Sequence, residues 1–299
     1  MERDLCERVP ISCPACERKL TLAEVSLLDS DQRVIHGTLK CACPREHPII
    51  DGVPIIVPNL STYLPGERQS ILRRHDLPGW ADDLLDLAVE DPDAERWRAR
   101  TITTYAATPS QDSALVSLSA ALPQFVEEVL SRHPHGSKLG LDAGAAAGVL
   151  TRLLAKHVQH AVGLELAFDR VRRAREDSLH QKPPVSFIAG LAENPPFSPG
   201  SFDVVLALNL LDVVAKPKTL LDKLAICLAP GGLLILTTPF EYSTALTTLE
   251  DRIDGQELVP TLADRFEILD DLPRIPWHLP ISERHHDIYF VRGIVARKS

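Results

Sequence analysis

The chain has 299 residues, 44% of them hydrophobic, with a formal net charge of −9. That length admits one full α/β domain with something smaller beside it. The acidic balance gives no general attraction to phosphate backbones, so it disfavours nucleic-acid partners without excluding them. No apolar run approaches the roughly 18–20 residues that cross a bilayer, and the charged start MERDLCERVP is unlike a signal peptide, so a cytoplasmic protein is expected.

Five of the six cysteines fall between Cys6 and Cys43. In a reducing compartment such crowding points to metal ligands more than to disulfides. The C-x-x-C knuckle Cys13–Cys16 and the later pair Cys41 and Cys43 are expected to meet at one tetrahedral, structural zinc. His47, spaced C-x-x-x-H from Cys43, is the rival for the last place. A domain of about sixty residues with few aromatics gains little from apolar burial, which gives a metal staple a physical role. The segment CPREHPIIDGVPIIVP, residues 43–58, resembles the ending C-G-x-x-Y-P-I-x-D-G-I-P of the small zinc-ribbon protein that activates tRNA, rRNA and release-factor methyltransferases. His47 falls where that family has an aromatic residue.

The expected organisation is a zinc-ribbon β domain over 1–60, a helical linker over 61–111 that packs on the catalytic domain, and the catalytic domain over 112–299. The linker alternates pieces such as WADDLLDLAVE with proline and polar breaks. ALPQFVEEVLSRH, residues 121–133, has helical spacing and opens the third segment as a packing helix.

From Lys138 the pattern is regular: strand KLGLDAG, helix GVLTRLLAKH, strand HAVGLEL, helix AFDRVRRAREDSL, strands VSFIAG and FDVVLALN, helix KPKTLLDKLAICLA, strand GLLILTTP. Strands alternating with crossover helices make an α/β, doubly wound, Rossmann-like sheet whose ligands sit at the carboxyl ends of the strands. LDAGAAAG lies at such an end. A dinucleotide fingerprint would place glycines at 144, 146 and 149, where the chain has Gly144, Ala146 and Val149. Asp142, just before the turn, would repel a pyrophosphate but suits a ligand carrying an ammonium group. Gly144 allows a close turn and Gly148 lets the next helix approach, while Ala146 is the smallest replacement for the middle glycine. Glu165, about twenty residues on, ends the second strand, where an acid can accept from ribose hydroxyls.

Residues from about 138 to 240 resemble a class I S-adenosylmethionine-dependent methyltransferase. LGLDAGAAAG matches its first motif, VGLEL its second, GLAENPPFSPGSFDVV its third, and LAPGGLLILTTP the strand that follows. The resemblance implies a cofactor site of Asp142, Gly144, Ala146, Gly148, Glu165, Leu166, Leu191, Ala192 and Asn209. Ala146 replaces a glycine, and Leu191 an aspartate that often meets the adenine amino group. NPPF, Asn194–Phe197, spells the signature of adenine and glutamine N-methyltransferases, but it precedes the fourth strand and is read as a proline-bearing loop.

After the fourth strand, Asn209 and Asp212 stand at i, i+3 spacing, on one side of a turn. NLLD followed by a proline resembles imidazole N-methyltransferases of the ovothiol and protein-histidine kind, as does the closing strand pair LPISERHHDIYFVRGIVARKS. The resemblance implies that Asp212 accepts from one imidazole nitrogen while Asn209 positions the ring or the cofactor. Trp277, His278, His285, His286 and Tyr289 are candidates for packing or for the pocket wall. The function expected is therefore methyl transfer to an imidazole or another small-molecule or peptide acceptor. The rivals are methylation of an RNA base, methylation of oxygen or carbon of a metabolite, and a non-catalytic cofactor-binding scaffold. Oligomeric state is left open.

Overall fold

The computed structural model describes residues 1–67, 71, 113–133, 138–180, 182, 184–282 and 285–299. The linker expected over 61–111, including WADDLLDLAVE, lies outside the described residues apart from 61–67 and Ile71.

A single 11-stranded sheet runs through the described residues, in the order β1-β2-β3-β4-β7-β6-β5-β8-β9-β11-β10. Its centre is parallel: β5 (Leu139–Ala143), β6 (His160–Glu165), β7 (Val185–Gly190), β8 (Phe202–Leu208) and β9 (Leu228–Thr238). The antiparallel pair β10 (Phe266–Ser282) and β11 (His285–Lys298) closes one side, with β11 against β9. Strands β5–β11 thus give the 3-2-1-4-5-7-6 order of a doubly wound sheet, and the order reverses at β5.

These strands read as near-continuous apolar runs because both faces are covered. In β8, Val205 and Ala207 face one core with Leu220 and Leu224 of α6 (Pro217–Cys227). Val204 and Leu206 face the other, with Phe125 and Val129 of α3 (Ser113–Arg132) and Leu154 of α4 (Val149–Leu154). The helix α3 begins eight residues before the expected Ala121 and carries Pro123 in its interior. Leu115 and Leu118 continue the stripe of Leu122, Phe125 and Val129 upstream at helical spacing, so the signal extends past Pro123, a residue that more often stands at a helix start.

The first sixty residues hold short helix α1 (Leu5–Arg8) and the antiparallel strands β1 (Thr21–Leu28), β2 (Val34–Lys40), β3 (Glu46–Ile50) and β4 (Val53–Ile56). Asp51 and Gly52 join β3 to β4 with φ +50° and +74°, the left-handed pair that a tight two-residue hairpin needs. β4 then pairs in parallel with β7, Ile55 opposite Ala189 and Ile56 opposite Gly190, so this meander extends the central sheet. The chain continues into α2 (Leu60–Tyr63), whose Tyr63 packs with Ile55 against Phe168 of α5 (Phe168–Glu176). Among the described residues no helix is long and apolar enough to cross a membrane.

Ile55 is fully buried in that junction. Ile55→Ala should lower unfolding stability by about 2–4 kcal/mol, the usual range for truncating a core isoleucine. Urea denaturation checks this; a loss below about 1 kcal/mol would mean that β4 is not integral to the sheet.

Candidate active site

A cavity of about 390 Å³ opens at the carboxyl ends of β5, β6, β7 and β8. Asp142, Gly144 and Ala146 line it from the first strand and its loop, Glu165 and Leu166 from the second, Leu191 and Ala192 from the third, and Asn209 from the fourth. Eight of the nine cofactor residues expected from sequence therefore share one wall. Gly148 stands behind it at the start of α4, with φ +72°; a Cβ there would meet the Phe187 ring at 2.7 Å. Its glycine is required by packing, as expected for a helix that approaches the sheet closely.

The loop after β5 is fixed by main-chain bonds. The amides of Gly144 and Ala145 both donate to Leu164 O, at 2.8 and 3.0 Å. Gly144 has φ +78° and Ala146 φ +46°. Alanine therefore occupies a left-handed position that glycine enters at no steric cost. Glu165 holds it there: Oε2 accepts from Ala146 N–H and Oε1 from Ala167 N–H, each at 3.0 Å. A carboxylate has about four lone-pair positions, so it retains capacity for a ligand's hydroxyls.

Asp142 is buried, and its Oδ2 accepts from Thr151 Oγ1 at 2.6 Å. Burial, with the negative charge of Glu165, pushes its pKa up to about 6, against the hydrogen bonds from Thr151. Thr151, nine residues on, has no signature in the sequence and was not among the expected site residues. Leu122 of α3 and Trp277 and Leu279 of β10 complete the wall. Trp277 lies against Tyr289, ring centroids 5.3 Å apart. His278 and His286 turn instead to each other, Nε2 to Nδ1 at 2.9 Å, while His278 Nδ1 lies 2.6 Å from Ser119 Oγ. His285 is exposed beside Asp287.

Asn209 directly follows β8, with φ +52°. Its N–H bonds Thr237 O at 2.9 Å, and its Oδ1 accepts from Thr237 Oγ1 at 2.7 Å, which turns the amide NH2 away from β9 as the group available to a ligand. Asp212 sits in the 3-10 turn Leu211–Val213, buried, with Oδ1 3.4 Å from Thr238 Oγ1. The two side chains expected on one side of a turn thus engage successive threonines of β9. Asn209 is on the cavity wall; Asp212 lies behind Leu210 and Val213, which are. Burial pushes the pKa of Asp212 up to about 7, with Glu241 adding to the rise.

The sulfur atoms of Cys13, Cys16, Cys41 and Cys43 lie within 4.8 Å of one another. Cys13 to Cys43 is 3.8 Å and Cys16 to Cys41 is 3.5 Å, close to the ~3.8 Å that tetrahedral bonds of ~2.3 Å to a zinc would set. Cys41 to Cys43, at 2.8 Å, is tighter than that. His47 is not in this group. Its ring is buried and bonded to the backbone of Ile55, and burial lowers its pKa to about 4.

Residues 141–236, from β5 into β9, match the family model of the methyltransferase domain. The match covers 96 of the 299 residues. Curated proteins similar to the chain include ubiquinone biosynthesis O-methyltransferases. That of Xylella fastidiosa (strain 9a5c) is 28% identical over 122 residues, 40% of this chain and 50% of the relative. That of Xanthomonas campestris pv. campestris (strain B100) is 31% identical over 99 residues, 33% and 41% of the two chains. The chain spans about half the length of the curated relatives it matches, 50% and 51% for two of them. Among solved structures, the N-methyltransferase NodS from Bradyrhizobium japonicum WM9 is similar with a TM-score of 0.47 at 15% identity, covering 63% of this chain and 99% of that one.

The raised pKa of Asp212 has a direct consequence for stability. Its carboxyl titrates near 3.8 when unfolded and near 7 when folded. The folded state therefore holds the proton more tightly, and stability falls as pH rises from about 4 to about 7, then levels. Asp212→Asn removes that loss. We expect it to raise unfolding stability by on the order of 2 kcal/mol at pH 8 and to leave it unchanged at pH 4, read from denaturation midpoints at the two pH values.

Proposed function

We propose that the chain is an S-adenosylmethionine-dependent methyltransferase that acts on an imidazole nitrogen of a small-molecule or peptide acceptor. The observation that carries the cofactor assignment is the placing of Asp142, Gly144 and Glu165 together around one cavity at the switch point of the sheet. Asp142 suits the cofactor's ammonium group, and Glu165 its ribose hydroxyls. Leu166, Leu191 and Ala192 supply an apolar wall for the adenine ring. An acid at the end of β5, a second at the end of β6 and an apolar stretch after β7, all lining one cavity, are a donor and acceptor set that fits this cofactor. When bound, the cofactor supplies an electrophilic methyl group on a sulfonium.

The protein's own contribution is orientation and electrostatics. A neutral imidazole already carries the attacking lone pair, so no separate strong base is needed. The Asn209 amide positions the ring or the cofactor. Asp212, ionised above about pH 7, stabilises positive charge that grows on the ring. Because Asp212 lies behind Leu210 and Val213, it acts through the turn or by a shift of that turn when the acceptor enters. The same groups support a second reading, an oxygen acceptor, favoured by the similarity to ubiquinone biosynthesis O-methyltransferases. There Asp212, with its pKa near 7, would receive the hydroxyl proton.

We further propose a structural zinc on Cys13, Cys16, Cys41 and Cys43, in a segment of residues 1–60 that joins the central sheet through β4 and so is not a separate unit, and a cytoplasmic location. The fit of four convergent sulfurs supports the metal. Metal analysis of protein purified without chelators should find zinc at one per chain, and Cys13→Ser should abolish it; zinc-free protein with reduced thiols overturns this.

Formation of S-adenosylhomocysteine across imidazole, phenol and RNA panels tests the function. Turnover with imidazole acceptors, falling below about pH 7, is expected. Turnover only with phenols transfers the assignment to oxygen, and binding without any turnover leaves a scaffold. Glu165→Ala should weaken calorimetric binding of S-adenosylhomocysteine by about 1–3 kcal/mol, the cost of losing hydrogen bonds to a charged group. Tight binding of NAD in its place overturns the cofactor assignment.

A further inference from the structure

NPPF, Asn194–Phe197, is not used in the methyl transfer proposed above, yet the structure places it between the sulfur cluster and the cavity. On one side, Asn194 Nδ2 donates to Pro14 O at 3.3 Å, within the turn from Cys13 to Cys16. The strand that delivers Cys13 is stitched to the same loop. Ser12 N–H donates to Pro196 O at 2.9 Å, Ser198 N–H donates to Pro10 O at 3.0 Å, and Ile11 bridges Phe197. Ile11 is fully buried, and the Phe197 ring stands edge-on to Phe202, centroids 4.8 Å apart.

On the other side, Asn194 N–H donates to Leu191 O at 3.0 Å and closes the turn that carries Leu191, Ala192 and Glu193. All three line the cavity. Glu193 Oε1 then accepts from the amides of Ala215 and Lys216, at 2.9 and 3.0 Å, tying this turn to the segment after β8. One residue, Asn194, is thus bonded through its side chain to the sulfur knuckle and through its main chain to the pocket wall.

We propose that the four-cysteine knuckle is a buttress of the cofactor pocket, so that metal binding and cofactor binding are thermodynamically linked, with Asn194 as the positioning residue. This rests on the cofactor and zinc assignments made above. A metal held by Cys13 and Cys16 fixes the Pro14 carbonyl between them. Asn194 then has a rigid partner, and the Leu191–Asn194 turn is ordered before a ligand arrives. Without the metal, ligand binding must also order the knuckle. Linkage requires the converse, that the bound ligand tightens the metal site by the same factor.

The test uses the full chain, zinc, and S-adenosylhomocysteine as the probe. Zinc affinity is measured at equilibrium against a chromophoric chelator, with and without saturating S-adenosylhomocysteine. Binding of S-adenosylhomocysteine is measured by calorimetry on zinc-loaded and zinc-free protein. In the native chain each ligand should tighten the other by about fivefold or more. Asn194→Ala should keep its full zinc content and its far-ultraviolet dichroism, bind S-adenosylhomocysteine more weakly when zinc-loaded, and bring the linkage factor close to one. Asn194→Asp, with the same shape and no donor, should do the same, and carries the test should the alanine variant not fold. Equal zinc affinity with and without S-adenosylhomocysteine, in a chain that binds both, overturns the proposal alone. A native chain that fails to bind S-adenosylhomocysteine, or zinc, overturns the corresponding assignment and the linkage with it.

Discussion

At the carboxyl edge of a parallel sheet the hydrogen-bond ladder ends, and the amides of the loops and helices that begin there need other acceptors. Glu165 answers for two of them. One carboxylate oxygen takes Ala146 N–H and the other Ala167 N–H, so the loop after β5 and the start of α5 are held by a single side chain. Glu67, from a distant part of the chain, takes the next amide of that helix, Phe168 N–H, at 3.3 Å. The position before α5 is an alanine and offers no cap of its own. Two carboxylates at the positive end of the helix replace it. Tyr63 adds a hydroxyl to Leu166 O at 2.8 Å, so α2 also braces this corner.

The same edge gathers features that cost stability. Among the described residues, six non-glycine residues have positive φ, and three of these, Ala146, Asn209 and Phe240, follow the ends of β5, β8 and β9. Phe240 is the least suited of the three, since an aromatic gains nothing locally to offset the left-handed geometry. Asp142 and Asp212 are both buried there, and both are held above the ordinary carboxylate range by that burial. A fold selected for stability alone would have little use for this combination. It is intelligible at the edge of a cavity, where a ligand in the proposed site would take over some of the cost.

How much of this was legible follows from what each signal depends on. The central strands were readable because burial on both faces leaves continuous apolar runs, as in FDVVLALN and GLLILTTP. The sulfur quartet was readable because ligand spacing is a local property, and His47, which spacing alone left in contention, is instead turned to the Ile55 backbone. The parallel pairing of β4 with β7 was not readable. Its partners, Ile55 with Ala189, lie far apart in the chain, and PIIVP looks the same whether it ends a small domain or joins a large sheet. Thr151 was missed for a similar reason: its meeting with Asp142 depends on how α4 folds back over β5. The placing of Asp212 behind Leu210 and Val213 was also invisible, because i, i+3 spacing fixes a face of a turn and not which way that face points.

The two sides of the central sheet end in different ways, and the difference explains where the N-terminal strands sit. On one side β11 covers β9, and β10 is the outer strand, with Pro273 and Pro276 in its length. Proline withholds a ladder donor, so this edge is a poor template for a further strand. On the other side β7 (VSFIAG) contains no proline and would present an open row of donors and acceptors. β4 takes that position through the Ile55 and Ile56 pairs, and the chain beyond it enters α2 against α5. An N-terminal meander that begins with a sulfur cluster therefore ends as part of the scaffold under the cavity. The strand that seals β7 also brings residues 10–14 within hydrogen-bond reach of the loop after it, because both segments must pass over the same face of the sheet.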